Sequence, residues 1–145
     1  MARSRLRGRG RAWLATLGIT VLAGGAVAGS AAAPTWLALR VLSLPGEDAG
    51  MPVVALDSAG NTVAVWVACT VGTCRVQVSE RPGGGDWTPA ANLSDQAADA
   101  KQADVAVTPA GAAVAAWAEL TAKGWTIQSA ERAAGGAWEA PRVLS

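Results

Sequence analysis

The chain has 145 residues, with no histidine, no tyrosine, and 12 basic against 11 acidic residues. The missing histidine excludes Ser-His-Asp and Cys-His nucleophile systems in their usual form, and two cysteines alone cannot fill a zinc coordination shell. Arg3, Arg5, Arg7, Arg9 and Arg11 carry much of the positive charge; without them seven basic residues face 11 acidic ones, a net charge of −4. The remaining cations are scattered singly, which sets nucleic acid aside as a partner, because such binding leans on clustered Lys and Arg.

In chain order, residues 1–33 read as a signal peptide. The five arginines form a basic n-region, Ala12 to Ala28 is uncharged and apolar, and small residues follow as "GSAAA". The apolar run covers 17 residues, short of the roughly 20 that a comfortable membrane span needs. The expected location is therefore secreted or extracytoplasmic, with an uncleaved N-terminal membrane anchor as the alternative reading.

Residues 34–145 form the remaining domain, and a fixed repeat organises it. Trp36, Trp87 and Trp138 recur every 51 positions, as do Ser43, Ser94 and Ser145, each after a leucine. The register holds without a gap through Val54 and Val105, Gly60 and Gly111, Trp66 and Trp117, Gln77 and Gln128, and the pairs Glu80-Arg81 and Glu131-Arg132. Of the 51 aligned positions 18 are identical, too many for one ungapped register to arise by chance. The domain divides into an extra strand at 36–43, repeat 1 at 44–94 and repeat 2 at 95–145.

Within repeat 1, "PVVAL", "NTVAVWVAC", "CRVQVSE" and "WTPAANLS" read as four short strands separated by "DSAG", "TVGT" and "RPGGGD" turns. The runs are short, Val-rich and lack a 3.6 period, which disfavours helix. Val63, Val65 and Val67 alternate with Ala64, Trp66 and Ala68, so both faces of the second strand are apolar, whereas a strand with one wet face would alternate apolar and polar residues. The expected fold class is all-β: antiparallel four-stranded repeats, each buried on both sides like a β-propeller blade, two blades plus one extra strand. Trp36, Trp66, Trp87, Trp117 and Trp138 are the structural repeat residues, with Trp66 and Trp117 expected in an interblade core.

The pattern W-x5-LS, then P-x-V-A-x-D-x-x-G-N-x-V-A-V-W, then ERPGGG-x-W resembles the tandem repeats of secreted bacterial proteins of the sialidase-like propeller type. The resemblance covers Trp36 to Ser145, better in repeat 1 than in repeat 2, where Thr108 replaces Asp57 and Ala112 replaces Asn61. It implies a propeller and secretion. The spacing of Asp57, Gly60 and Trp66 does not match a sialidase Asp box, and a tyrosine nucleophile is missing, so sialidase chemistry is not implied.

Cys69 and Cys74 flank a short loop, where directly opposed strand residues lie within disulfide range; an exported chain with an even cysteine count favours that bond. Carboxylates such as Glu80, Glu131, Asp57, Asp104 and Glu119 could in principle supply a glycosidase pair. The repetition of Glu-Arg at equivalent sites reads instead as scaffold, because a single active site needs one set of groups. "RPGGGDW" lacks the lysine and helix of a P-loop and reads as a hairpin turn. "EDAG" and "SDQAADAKQAD" read as solvated connectors. No catalytic residue, cofactor or metal is expected. The sequence points to a noncatalytic module with a binding or structural role toward a glycan or protein, Trp87, Trp125 and Trp138 being the residues expected to stack on a ligand. Self-assembly into a closed ring is the expected way to complete a two-blade propeller; a fragment or subunit of an extracellular glycoside hydrolase-like propeller is the alternative.

Overall fold

The structure, a computed structural model, describes residues 37–95 and 97–145; the signal segment at 1–33 and Trp36 lie outside them. Eight strands follow one another: β1 (Asp48–Leu56), β2 (Thr62–Thr70), β3 (Thr73–Arg81), β4 (Ala91–Asn92), β5 (Ala100–Val107), β6 (Ala113–Thr121), β7 (Gly124–Arg132) and β8 (Arg142–Val143). They build two antiparallel four-stranded sheets, ordered β1-β2-β3-β4 and β5-β6-β7-β8. The fold is all-β, and each repeat makes one sheet. No helix among the described residues is long and apolar enough to cross a membrane.

The repeat extends to backbone detail. After β1 the chain reverses through Asp57 to Gly60, and after β5 through Thr108 to Gly111, with Gly60 and Gly111 at φ +80° and +91°. These are left-handed conformations that glycine adopts without a side-chain penalty. The Asp57 carboxylate caps its turn by accepting from the Ala59 and Asn61 amides at 2.8 and 2.9 Å. Thr108 Oγ1 does the same for the Ala112 amide at 3.1 Å. A side chain and a short turn thus do the same work in both copies.

Three features depart from the sequence reading. First, β1 and β5 begin at Asp48 and Ala100, inside segments expected to be connectors. Each carries a bulge, with Met51 at φ +53° and its counterpart Gln102 at φ +56°. The bulge breaks the alternation that marks a strand, so the pattern there reads as a loop. Second, β4 and β8 have two residues each rather than eight. Pro89 and Pro141 have no N–H for a ladder; Thr88 and Glu139 instead donate singly to the Glu80 and Glu131 carbonyls at 2.8 Å. Third, the extra strand expected over 36–43 is not formed in its described part, residues 37–43. Its counterparts add to the third strand of their own repeat, and no described strand plays that part for it.

Both faces of β2 are buried, as its sequence implies. Val63, Val65 and Val67, with Val76 and Val78 beside them on β3, pack into one core with Ala103 and Val105 of β5, Ala115 and Trp117 of β6 and Ala130 of β7. That core is the seam between the sheets, and each fully buried valine in it stabilises the stack by about 1.5–3 kcal/mol. Ala64, Trp66 and Ala68 lie on the opposite face with Leu42, Trp87 and Ala90. Trp117 therefore lies between the sheets, whereas Trp66, its counterpart, is buried on the face turned away from the second sheet. The valine face of the first repeat meets the tryptophan face of the second.

Cys69 and Cys74 stand directly opposite each other in the β2–β3 ladder and form a disulfide with Cα atoms 4.0 Å apart. The matching positions in the second sheet, Leu120 and Trp125, are an apolar cross-strand pair.

Candidate functional site

A cleft of about 420 Å³ opens at the end of the seam, where the turns after β1, β3, β5 and β7 converge. Asp57, Asn61 and Thr62 reach it from the first turn, Glu80, Arg81 and Thr88 from the end of β3 and beyond, and Gly111, Arg132 and Ala134 from the second sheet. The local folding that brings them there is itself hydrogen-bonded. Asn61 Nδ2 donates to Asp57 Oδ2 at 2.7 Å, and Asn61 Oδ1 accepts from the Gly83 amide at 2.8 Å, tying the β1–β2 and β3–β4 turns together. Gly83 is required at this crossing: a Cβ there would lie 2.6 Å from the Ala59 carbonyl oxygen.

At the floor, the Arg132 guanidinium lies 7% exposed beside Glu80, its Nε 3.0 Å from Glu80 Oε1. The Nε–H points off the line that a hydrogen bond requires, so the contact is an ion pair. Trp138 Nε1 donates to the same oxygen at 2.6 Å, and the Arg132 guanidinium lies over the Trp138 ring, 5.7 Å from its centroid. Glu80 thus receives two groups from the second repeat. Adjacent strand residues point to opposite faces, which is why Glu80 pairs with Arg132 across the seam and not with its own neighbour Arg81.

Hydrogen bonds and the ion pair leave these carboxylates committed. Asp57 is held below its ordinary value of 3.8, first by the Asn61 side chain, with burial opposing and the Asn61, Ala59 and Gly60 amides adding to the lowering. It stays ionised, with both oxygens occupied. The Asp57 and Glu80 carboxylates hold the β1–β2 turn and the seam. Glu119 is a further buried carboxylate, accepting from Trp117 Nε1 at 2.9 Å. It has no counterpart in repeat 1, where Ala68 stands, and it does not line the cleft. Among the described residues no group of three or more His, Cys, Asp and Glu side chains could hold a metal ion.

The tryptophans named from sequence do not converge on the cleft. Trp87 is half-buried against Trp66 and lines a separate apolar groove of about 250 Å³ on the outer face of the first sheet. Trp125 is exposed on the outer face of the second sheet, with Lys101 Nζ 3.6 Å above its ring. Trp138 packs against the seam core and commits its N–H to Glu80. Sequence reasoning missed Arg132 and Asn61 as shapers of the cleft; the signal was present in the repeated Glu-Arg pair, whose alternation places one member on each face. Comparison with protein-family models, with curated proteins and with solved structures finds no match.

Proposed function

We propose that this protein is a secreted, noncatalytic repeat module of the β-propeller type, whose binding surface is the cleft between adjacent blades and whose ligand class is carbohydrate. One observation carries the reading: two copies of a 51-residue unit make two equal four-stranded sheets that stack unlike face to unlike face, the mode of packing that successive propeller blades use. The disulfide suits an extracytoplasmic location, and the N-terminal basic and apolar segments supply an export signal. The cleft presents the hydroxyls of Thr62 and Thr88 and the guanidinium of Arg81, which suit sugar hydroxyls, while Asp57, Asn61, Glu80 and Arg132 are engaged within the fold.

A glycan array probed with the folded, exported protein tests this. The reading expects hits that a plugging substitution, Ala134→Trp at the exposed rim, weakens at least about tenfold without lowering the melting temperature. An array without hits would reduce the role to a structural one, and hits indifferent to Ala134→Trp would move the site elsewhere.

A further inference from the structure

We infer that a second copy of this chain docks on the first by repeating the seam already present inside it: the outer face of sheet β5-β6-β7-β8 in one copy covers the outer face of sheet β1-β2-β3-β4 in the next. The inference rests on the blade-like reading of the two sheets and names the partner that completes them.

The internal seam defines what each face requires. Its apolar half on the first sheet is Val63, Val65, Val67, Val76 and Val78. Their counterparts 51 residues on are Val114, Ala116, Ala118, Ile127 and Ser129, on the uncovered face of the second sheet, where Val114 and Ile127 are 41% and 43% exposed. The other half of the seam includes Ala100, Val105, Val107, Ala115, Trp117 and Trp138. Its counterparts are Ala49, Val54, Leu56, Ala64, Trp66 and Trp87; all but Leu56 line the apolar groove already described, and Leu56 beside them is 63% exposed. Among the described residues no second sheet covers either face, although Leu42, Trp87 and Ala90 already pack on Ala64 and Trp66 of the first. An interface between unlike faces of the same molecule propagates head to tail.

The polar contacts repeat as well. Across the seam Glu80 pairs with Arg132, Glu80 accepts from Trp138 Nε1, and Asp99 Oδ1 accepts from the Cys74 amide at 2.9 Å. All four side chains are identical one repeat away: Glu131, Arg81, Trp87 and Asp48. In the docked pair, Glu131 of one copy meets Arg81 and Trp87 of the next, and Asp48 meets the Trp125 amide. The uncovered face of the first sheet also holds two buried polar atoms without a hydrogen-bond partner, Glu47 Oε2 and Arg75 Nε, a state that folded proteins seldom leave uncompensated.

The match is weaker than the internal seam in identifiable places. Asp104 stands for Val53 and Ser129 for Val78, and Pro109 has no N–H or hydroxyl to repeat the Ser58 bonds to the Pro109 carbonyl. Association between copies is accordingly reversible, while the seam within a chain is part of its fold.

Sedimentation or light scattering of the full chain over about 1 to 100 µM, together with a charge exchange, tests the inference. Wild type is expected to associate. Glu131→Arg and Arg81→Glu, each alone, place like charges together and weaken association about 100-fold; an equal mixture of the two restores it, because the arginine introduced in one variant then faces the glutamate introduced in the other. Leu56→Lys, on the uncovered face and outside the seam, is a second variant expected to dissociate without unfolding. A wild type that stays monomeric throughout the range, or a mixture no more associated than its separate components, overturns the inference. Loss of glycan binding on Ala134→Trp with association intact would leave it standing, so the two readings fail separately.

Discussion

Glu80 on β3 and Arg132 on β7 face each other across the seam at 3.0 Å, and they belong to different repeats. Each copy of the Glu-Arg dipeptide thereby sends one charge to each side of its sheet. The pair is a joint between units and not an ornament of either.

Removing one member should expose that role. Breaking a fully buried pair costs about 3–5 kcal/mol; with Glu80 29% exposed, Glu80→Gln should cost about 2 kcal/mol, read from urea unfolding. Arg81→Gln, which loses a hydrogen bond to the Gly85 carbonyl but no ion pair across the seam, should cost less, about 0.5–1 kcal/mol. Equal effects at the two sites would argue against a seam built on this pair.

Trp117→Ala should destabilise by about 3–5 kcal/mol, because its side chain is 1% exposed and its loss opens a void between the sheets. The buried Glu119 carboxylate would also lose the N–H that it accepts. Unfolding monitored by tryptophan fluorescence measures the cost.

Asp57 gives the fold an acid-sensitive element. Its folded value is depressed, so its contribution is fully present above the ordinary carboxylate value of 3.8 and is lost as pH falls through the lower folded value. Stability should therefore fall as pH is lowered below 3.8 toward the depressed folded value. Asp57→Asn should flatten that part of the profile, seen as a smaller difference in melting temperature from wild type at low pH than at pH 7.

The disulfide closes a loop so short that chain entropy predicts only about 2 kcal/mol from it. The double variant Cys69→Ser, Cys74→Ser should fold and lose about that much. Intact-mass analysis of unreduced exported protein should show the two thiols joined; two free thiols would refute the bond.

Leu42 packs on Ala64, Trp66 and Ala68 much as Leu93 packs in the internal seam. In the docked pair the incoming Leu144, the next residue of the series, would claim the same place. Leu42→Ser should then act in two directions, lowering the stability of the chain by about 1 kcal/mol while tightening association about tenfold.

Much of this fold was legible in the sequence. The 51-residue register, the double-sided burial of β2, the direct opposition of Cys69 and Cys74 and the all-β class all follow from spacing and alternation. The bulges at Met51 and Gln102 were not legible, because a residue inserted at positive φ removes the very alternation that identifies a strand. The brevity of β4 and β8 was available from Pro89 and Pro141 but was outweighed by the Trp and Leu-Ser repeat. For the cleft, the residue types were visible and their convergence was not: Asn61 and Gly83 meet only once two turns distant in sequence are brought together. Trp66 and Trp117 looked equivalent; their surroundings differ because the facing sheet covers Trp117, whereas Leu42, Trp87 and Ala90 cover Trp66.

On the reading proposed above, other copies of the chain supply the blades that complete a ring around the two stacked sheets. The absolute mass of the exported protein, followed by multi-angle light scattering as concentration rises, reads this out. A closed ring gives a plateau at a fixed multiple of two to four chains, the number that supplies about four to eight blades. A protein that remains a single chain at every concentration, or one whose mass grows without limit, would contradict the ring.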